Sequence, residues 1–140
     1  MRLEFRVTKI LIIAVLTLAG MAGFAGLQAA EAGSAAPVAG LKTLNNLMAA
    51  YDGESNAHAR YLEFAKKADE EGYGAVASLF RAAANAEAVH AKYHANVIKK
   101  LGGTPKADVK APEVKTTKEN LEAALKGESY ERDVMYPDFI

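Results

Sequence analysis

Cysteine is absent from all 140 residues. No disulfide can form, and thiolate zinc and iron–sulfur sites are excluded. An excess of either charge is lacking too, because 17 basic side chains balance 17 acidic ones. The basic patches that hold nucleic acid are therefore not expected, and no nucleic-acid partner is assigned. No segment shows the apolar–polar alternation of a half-buried strand. A twin-arginine export motif is missing as well. What the chain does have is apolar residues, 51% of the total, distributed in helical rows.

The first residues read as a targeting segment. Arg2, Arg6 and Lys9 precede an apolar run from Ile10 to Leu27, and Ala30-Glu31-Ala32 offers a small-residue cleavage site. Residues 1–32 are accordingly expected to be a signal peptide of the general export route. The protein would then be exported, to a periplasm, with an uncleaved N-terminal anchor as the alternative. Residues 33–40 form a small-residue linker, and removing 1–32 leaves a slight acidic excess. Residues 41–140 then suffice for one small domain.

Within that domain, Leu44, Leu47, Met48, Tyr51, Ala57, Tyr61, Phe64, Ala65 and Ala68 recur at three- and four-residue steps, predicting a helix from Leu41 to about Glu70. Glu71-Gly72-Tyr73-Gly74 should reverse the chain. A second helix is expected from Ala75 to about Leu101, with Val76, Leu79, Phe80, Ala83, Val97, Ile98 and Leu101 on its stripe. Residues 41–101 thus make a helical hairpin, and residues 102–116, with Gly102-Gly103, Pro105 and Pro112, a linker. Thr116 followed by Glu119 is a capping-box signature. It predicts a third helix over residues 117–136, ended by Pro137. The fold class is all-α, three long helices of an incomplete four-helix bundle.

A repeated phrase organises the polar residues. Asn46-Leu47-Met48-Ala49-Ala50-Tyr51-Asp52-Gly53-Glu54-Ser55 recurs as Asn120-Leu121-Glu122-Ala123-Ala124-Leu125-Lys126-Gly127-Glu128-Ser129. Glu54 falls on the apolar row of the first helix, and Glu87, His90 and His94 on that of the second. On the third, Leu121 and Leu125 lead to Glu128, Glu131 and Met135. A buried, unpaired carboxylate costs several kcal/mol, so one on each of three helices calls for a neutralising partner. At ~1.5 Å per residue, Glu54 and His90 each lie ~27 Å from Gly72, and Glu87 ~22 Å. An antiparallel hairpin therefore sets them face to face.

Helix-borne glutamates with Glu-x-x-His are the ligand set of di-iron and di-manganese bundles. An isolated Glu-x-x-His is usually solvated surface, and the combination with core-row carboxylates is what points to metal. His94 reads more readily as exposed helix surface, with contact to the metal ligands as the alternative. His58 reads as a surface or hydrogen-bonding residue, and Tyr61 and Tyr136 as core aromatics or neighbours of the metal.

Three stretches resemble rubrerythrins. They are Gly53-Glu54-Ser55-Asn56-Ala57-His58-Ala59-Arg60-Tyr61, Ala86-Glu87-Ala88-Val89-His90-Ala91, and Gly127-Glu128-Ser129-Tyr130-Glu131 with Met135-Tyr136-Pro137-Asp138-Phe139-Ile140. The resemblance implies a ferritin-like bundle with two non-haem iron ions, manganese being the other candidate, and reduction of hydrogen peroxide in oxidative-stress defence. It implies Glu54, Glu87, His90, Glu128 and Glu131 as iron ligands, with Glu131 exchanging for His90 as the iron changes redox state. Tyr61 and Tyr136 match tyrosines beside the iron pair. No catalytic residue beyond the ligands is implied.

Three departures accompany the likeness. A fourth helix with a second Glu-x-x-His would fall beyond Ile140, and no rubredoxin-type domain exists without cysteine. The targeting segment is also atypical of a family usually thought of as cytoplasmic. The expected partners are an external electron donor, rubredoxin-like or another redox protein, and a second copy of the chain that completes the site. Helix three would close either its own hairpin or a neighbour's. The rival readings are an iron-binding bundle without turnover and a truncated fragment whose site does not form.

Overall fold

A computed structural model describes residues 36–140; the expected targeting segment lies outside the described residues. Helix α1 spans Ala36–Glu70, α2 spans Gly74–Lys100 and α3 spans Thr117–Tyr130. A π-helical segment, Glu131–Met135, follows α3 and leads into a last turn, α4, Tyr136–Phe139. Among the described residues there is no strand, and no helix is long and apolar enough to cross a membrane.

Two glycines end the long helices in the same way. Gly72 and Gly102 both adopt φ 80°, a left-handed conformation that costs glycine little. After α1, the Tyr73 N–H donates to Ala68 O at 2.8 Å and the Gly72 N–H to Asp69 O at 3.0 Å. After α2, the Gly103 N–H donates to Ile98 O at 2.9 Å and the Gly102 N–H to Lys99 O at 3.0 Å. Both are Schellman closures, which satisfy carbonyls that a helix end leaves open. Gly103 has a second reason to lack a side chain: a Cβ there would sit 2.9 Å from Ile98 Cγ2 and from Leu44 Cδ1.

The linker runs the length of the hairpin. It leaves α2 against Leu44, near the start of α1, and is fastened midway by two α1 side chains. Asp52 Oδ1 accepts from the Asp108 N–H at 2.6 Å, and Asn56 Oδ1 accepts from the Lys110 N–H at 3.0 Å. It reaches the far end at Glu71, whose carboxylate accepts from the Thr117 N–H at 2.9 Å. The expected capping box forms there, with the Glu119 N–H donating to Thr116 Oγ1 and the Thr116 N–H to the Glu119 carboxylate. Helix α3 therefore lies antiparallel to α1 and closes its own hairpin.

Beneath the site, the apolar core gathers around Tyr61, Phe64 and Phe80, whose ring centroids are 5.4–6.2 Å apart. Alanines at 57, 65, 68, 77, 83, 84 and 124 let the three helices approach closely. Helix α1 begins at Ala36, within the linker expected over residues 33–40, and further expectations change with the packing. Val97 and Leu101, expected on the buried stripe, are exposed, and with Val89 and Tyr93 they form an apolar ladder at four-residue steps along α2. Pro137 does not end the third helix, because it sits in the first turn of α4, where a missing N–H breaks no bond. The π-helical segment adds one residue per turn, so Tyr136, rather than Met135 alone, continues the row begun by Glu128 and Glu131.

Candidate metal centre

Helices α1 and α2 bring three predicted donors together. Glu54, Glu87 and His90 each offer a ligand atom within 4.8 Å of the others. Glu54 is 1% exposed and Glu87 2%, so neither charge is solvated. His90 Nδ1 lies 3.0 Å from Glu87 Oε2 and 3.7 Å from Glu54 Oε2. The matched heights derived from helical rise are thus realised.

Helix α3 and the segment after it bring the remaining groups. Glu128 is buried, and its Oε1 accepts the Tyr61 hydroxyl at 2.6 Å. Glu54 Oε1 accepts the Tyr136 hydroxyl, also at 2.6 Å. Both tyrosines expected beside the metal thus orient carboxylates directly. Glu131 hydrogen-bonds no other side chain here, yet burial and the nearby Glu54 and Glu128 push its carboxyl up to about 8.

His94 contradicts its reading as exposed surface. It is 3% exposed, with Nε2 3.2 Å from the Tyr136 hydroxyl and 3.8 Å from Glu54 Oε1. Its ring stacks on that of Tyr136 at 6.5 Å. His58 behaves as expected for a hydrogen-bonding residue, with Nδ1 2.7 Å from the carbonyl oxygen of Ala84 across the hairpin. Arg60, to which the sequence reading gave no role, stacks its guanidinium 5.5 Å from the Tyr61 ring centroid and draws Glu131 downward against the rise. No sequence spacing marks it, since it lies one residue off the Glu54–Tyr61 row.

Protons neutralise the cluster when no cation is present. Burial raises the Glu87 carboxyl well above its ordinary range, and the nearby Glu54 carboxylate adds to the rise. Glu54 goes the other way: burial alone would raise it, but the nearby His90, His94 and Glu87 and the Tyr136 hydroxyl hold it ionised. The carboxylates of Glu54 and Glu87 beside it push the His90 imidazolium up to about 10. Four polar side-chain atoms of the described residues nevertheless remain buried without a hydrogen-bond partner: Glu54 Oε2, His90 Nε2, Arg60 Nε and Thr117 Oγ1. A buried carboxylate oxygen left without a partner, with the Glu87 carboxylate and His90 Nδ1 close beside it, is a donor set that a divalent iron or manganese ion accepts. The residues present fit such a metal.

Comparison with known proteins points to one family. The sequence model of the family described as Rubrerythrin matches residues 45–140. Nigerythrin of Nitratidesulfovibrio vulgaris is 46% identical over 99 residues, covering 70% of this chain and 49% of that protein. A putative rubrerythrin of Methanocaldococcus jannaschii is 40% identical over 107 residues, covering 70% and 52%. Rubrerythrin of Porphyromonas gingivalis is 38% identical over 104 residues, covering 73% and 51%. The chain spans about half the length of the curated relatives it matches. No solved structure matches.

Proposed function

The chain belongs to the rubrerythrin family of ferritin-like, non-haem di-iron proteins, and from that premise we propose that it reduces hydrogen peroxide in defence against oxidative stress. What carries the proposal is the buried convergence of Glu54, Glu87 and His90, with Glu54 Oε2 left without a hydrogen-bond partner. Two ferrous ions, when bound, supply the two electrons that split the peroxide O–O bond, with manganese as the other candidate metal. The chain's residues do the rest. Glu54, Glu87, His90, Glu128 and Glu131 hold the metal pair, and metal binding displaces the protons kept on Glu87, His90 and Glu131. The Tyr61 and Tyr136 hydroxyls fix the carboxylates of Glu128 and Glu54.

Two further parts of the reading concern partners. The 140 residues themselves contain no thiolate centre, and the electron donor in this reading is rubredoxin-like or another redox protein. Pairing of two chains in a homodimer would bring a second Glu-x-x-His and would cover the Val89–Tyr93–Val97–Leu101 ladder. The basic and apolar pattern of residues 1–32 supports export.

Stopped-flow mixing of the anaerobic ferrous-loaded protein with peroxide tests the activity. Rapid oxidation is expected, consuming one peroxide per two irons, followed by re-reduction on adding a donor. One rival, iron binding without turnover, rests on the same three donors. That rival predicts bound iron that peroxide oxidises no faster than ferrous ion in buffer.

A further inference from the structure

Each oxygen of Glu54 faces an imidazole nitrogen of α2. On the Oε2 side, His90 Nδ1 lies 3.7 Å away; on the Oε1 side, His94 Nε2 lies 3.8 Å away. Both imidazoles come from α2, at positions 90 and 94 of the face that also carries Glu87. Two donors sharing one divalent cation stand about 3–4 Å apart when each bond is about 2.0–2.2 Å long. Glu54 therefore has room for a nitrogen partner on each oxygen.

Only one of those nitrogens belongs to the Glu-x-x-His pattern. We propose that His94 is a second imidazole ligand of the metal centre, sharing a cation with Glu54 Oε1 as His90 shares one with Oε2. The gap between His94 Nε2 and Glu54 Oε1 holds a polar atom already: the Tyr136 hydroxyl, 3.2 Å from the nitrogen and 2.6 Å from the oxygen. That hydroxyl fills the space between two donors which are otherwise buried at 3% and 1% exposure. Its residue begins the turn after a π-helical segment, a weak place in a helix from which a side chain is readily re-aimed. His94 in this role gives one chain two imidazoles from a single helix, the number that two Glu-x-x-His motifs supply in a di-metal bundle.

The inference rests on the metal-centre reading above, and the test separates the two. The full-length protein is stripped of metal, loaded anaerobically with Co²⁺ alone, and studied by paramagnetic proton NMR. Each imidazole bound to Co²⁺ gives one strongly shifted, exchangeable N–H signal. Two such signals per chain are expected from His90 and His94. His94→Gln, which keeps a polar side chain of comparable reach, should show one signal, with helix content by circular dichroism unchanged. A wild-type protein that binds Co²⁺ but shows one shifted signal overturns the proposal and leaves the metal centre standing. So does a His94→Gln spectrum with the wild-type count, because His94 would then act only through Tyr136. Failure of the wild-type protein to take up Co²⁺ overturns both.

Discussion

At the scale of single residues, the site is a set of buried charges that neutralise one another with protons until metal arrives. Stability should therefore depend on pH in a direction set by that protonation. His90 is pushed up to about 10 and Glu131 to about 8, and Glu87 is raised too, so the metal-free folded chain holds protons that the unfolded chain releases. Stability is fullest near pH 5 and declines as pH rises through about 8–10, because the unfolded state binds fewer protons there. Urea midpoints of metal-free protein should fall between about pH 6 and pH 9. The metal-loaded protein, whose ligands have already lost these protons, should show no such fall. The Tyr61 hydroxyl is the donor to the buried Glu128 carboxylate, so Tyr61→Phe leaves that oxygen short of a partner. A loss of about 1–3 kcal/mol is expected by urea titration.

Much of this chemistry was legible beforehand. Glu54, Glu87 and His90 could be brought together on paper because helical rise and a turn at Gly72 fix their heights. His94 was misread for a physical reason. Its own helix places it on the site face, but what buries it is Tyr136, from a segment whose phase is shifted by the π-helical insertion. Helical periodicity assumes a constant turn and cannot anticipate one extra residue. Arg60 escaped because its position follows from the space over Gly127 and the Tyr61 ring, neither of which has a sequence spacing.

At the scale of elements, turn chemistry decides where each ligand-bearing face points. Gly103 is packed so tightly against Ile98 and Leu44 that a methyl group must move one of them. Gly103→Ala should cost about 1–3 kcal/mol by overpacking, read as a lowered urea midpoint. Thr116→Ala removes the capping hydroxyl of α3 and should cost about 0.5–2 kcal/mol. Since α3 carries Glu128, that loss should also weaken metal retention, whereas an equal loss at an exposed site of the hairpin turn should not. The cap and both helix-ending glycines were visible in the sequence, being local chemistry. The route of the linker was not, because its fastening by Asp52 and Asn56 joins residues more than 50 positions apart.

For the molecule as a whole, three helices bury a carboxylate cluster at the level where the hairpin and α3 meet, above an alanine-rich aromatic core. The all-α, ferritin-like class was readable because apolar rows at helical spacing cover the whole of residues 41–101. The uncovered ladder on α2 was not, since Val97 and Leu101 look like core to any periodicity argument and only the packing shows which side is empty. If a second copy covers it, Tyr93→Glu should shift the protein toward monomer by sedimentation and lower iron content with it, while the hairpin stays helical. The central claim, that the buried cluster is a metal centre, is tested most directly by native mass spectrometry after anaerobic ferrous loading. Wild-type protein should carry iron in whole-number ratio to the chain, and Glu87→Ala should lose it while its helix content is retained. Equal iron occupancy in the two proteins would contradict the account.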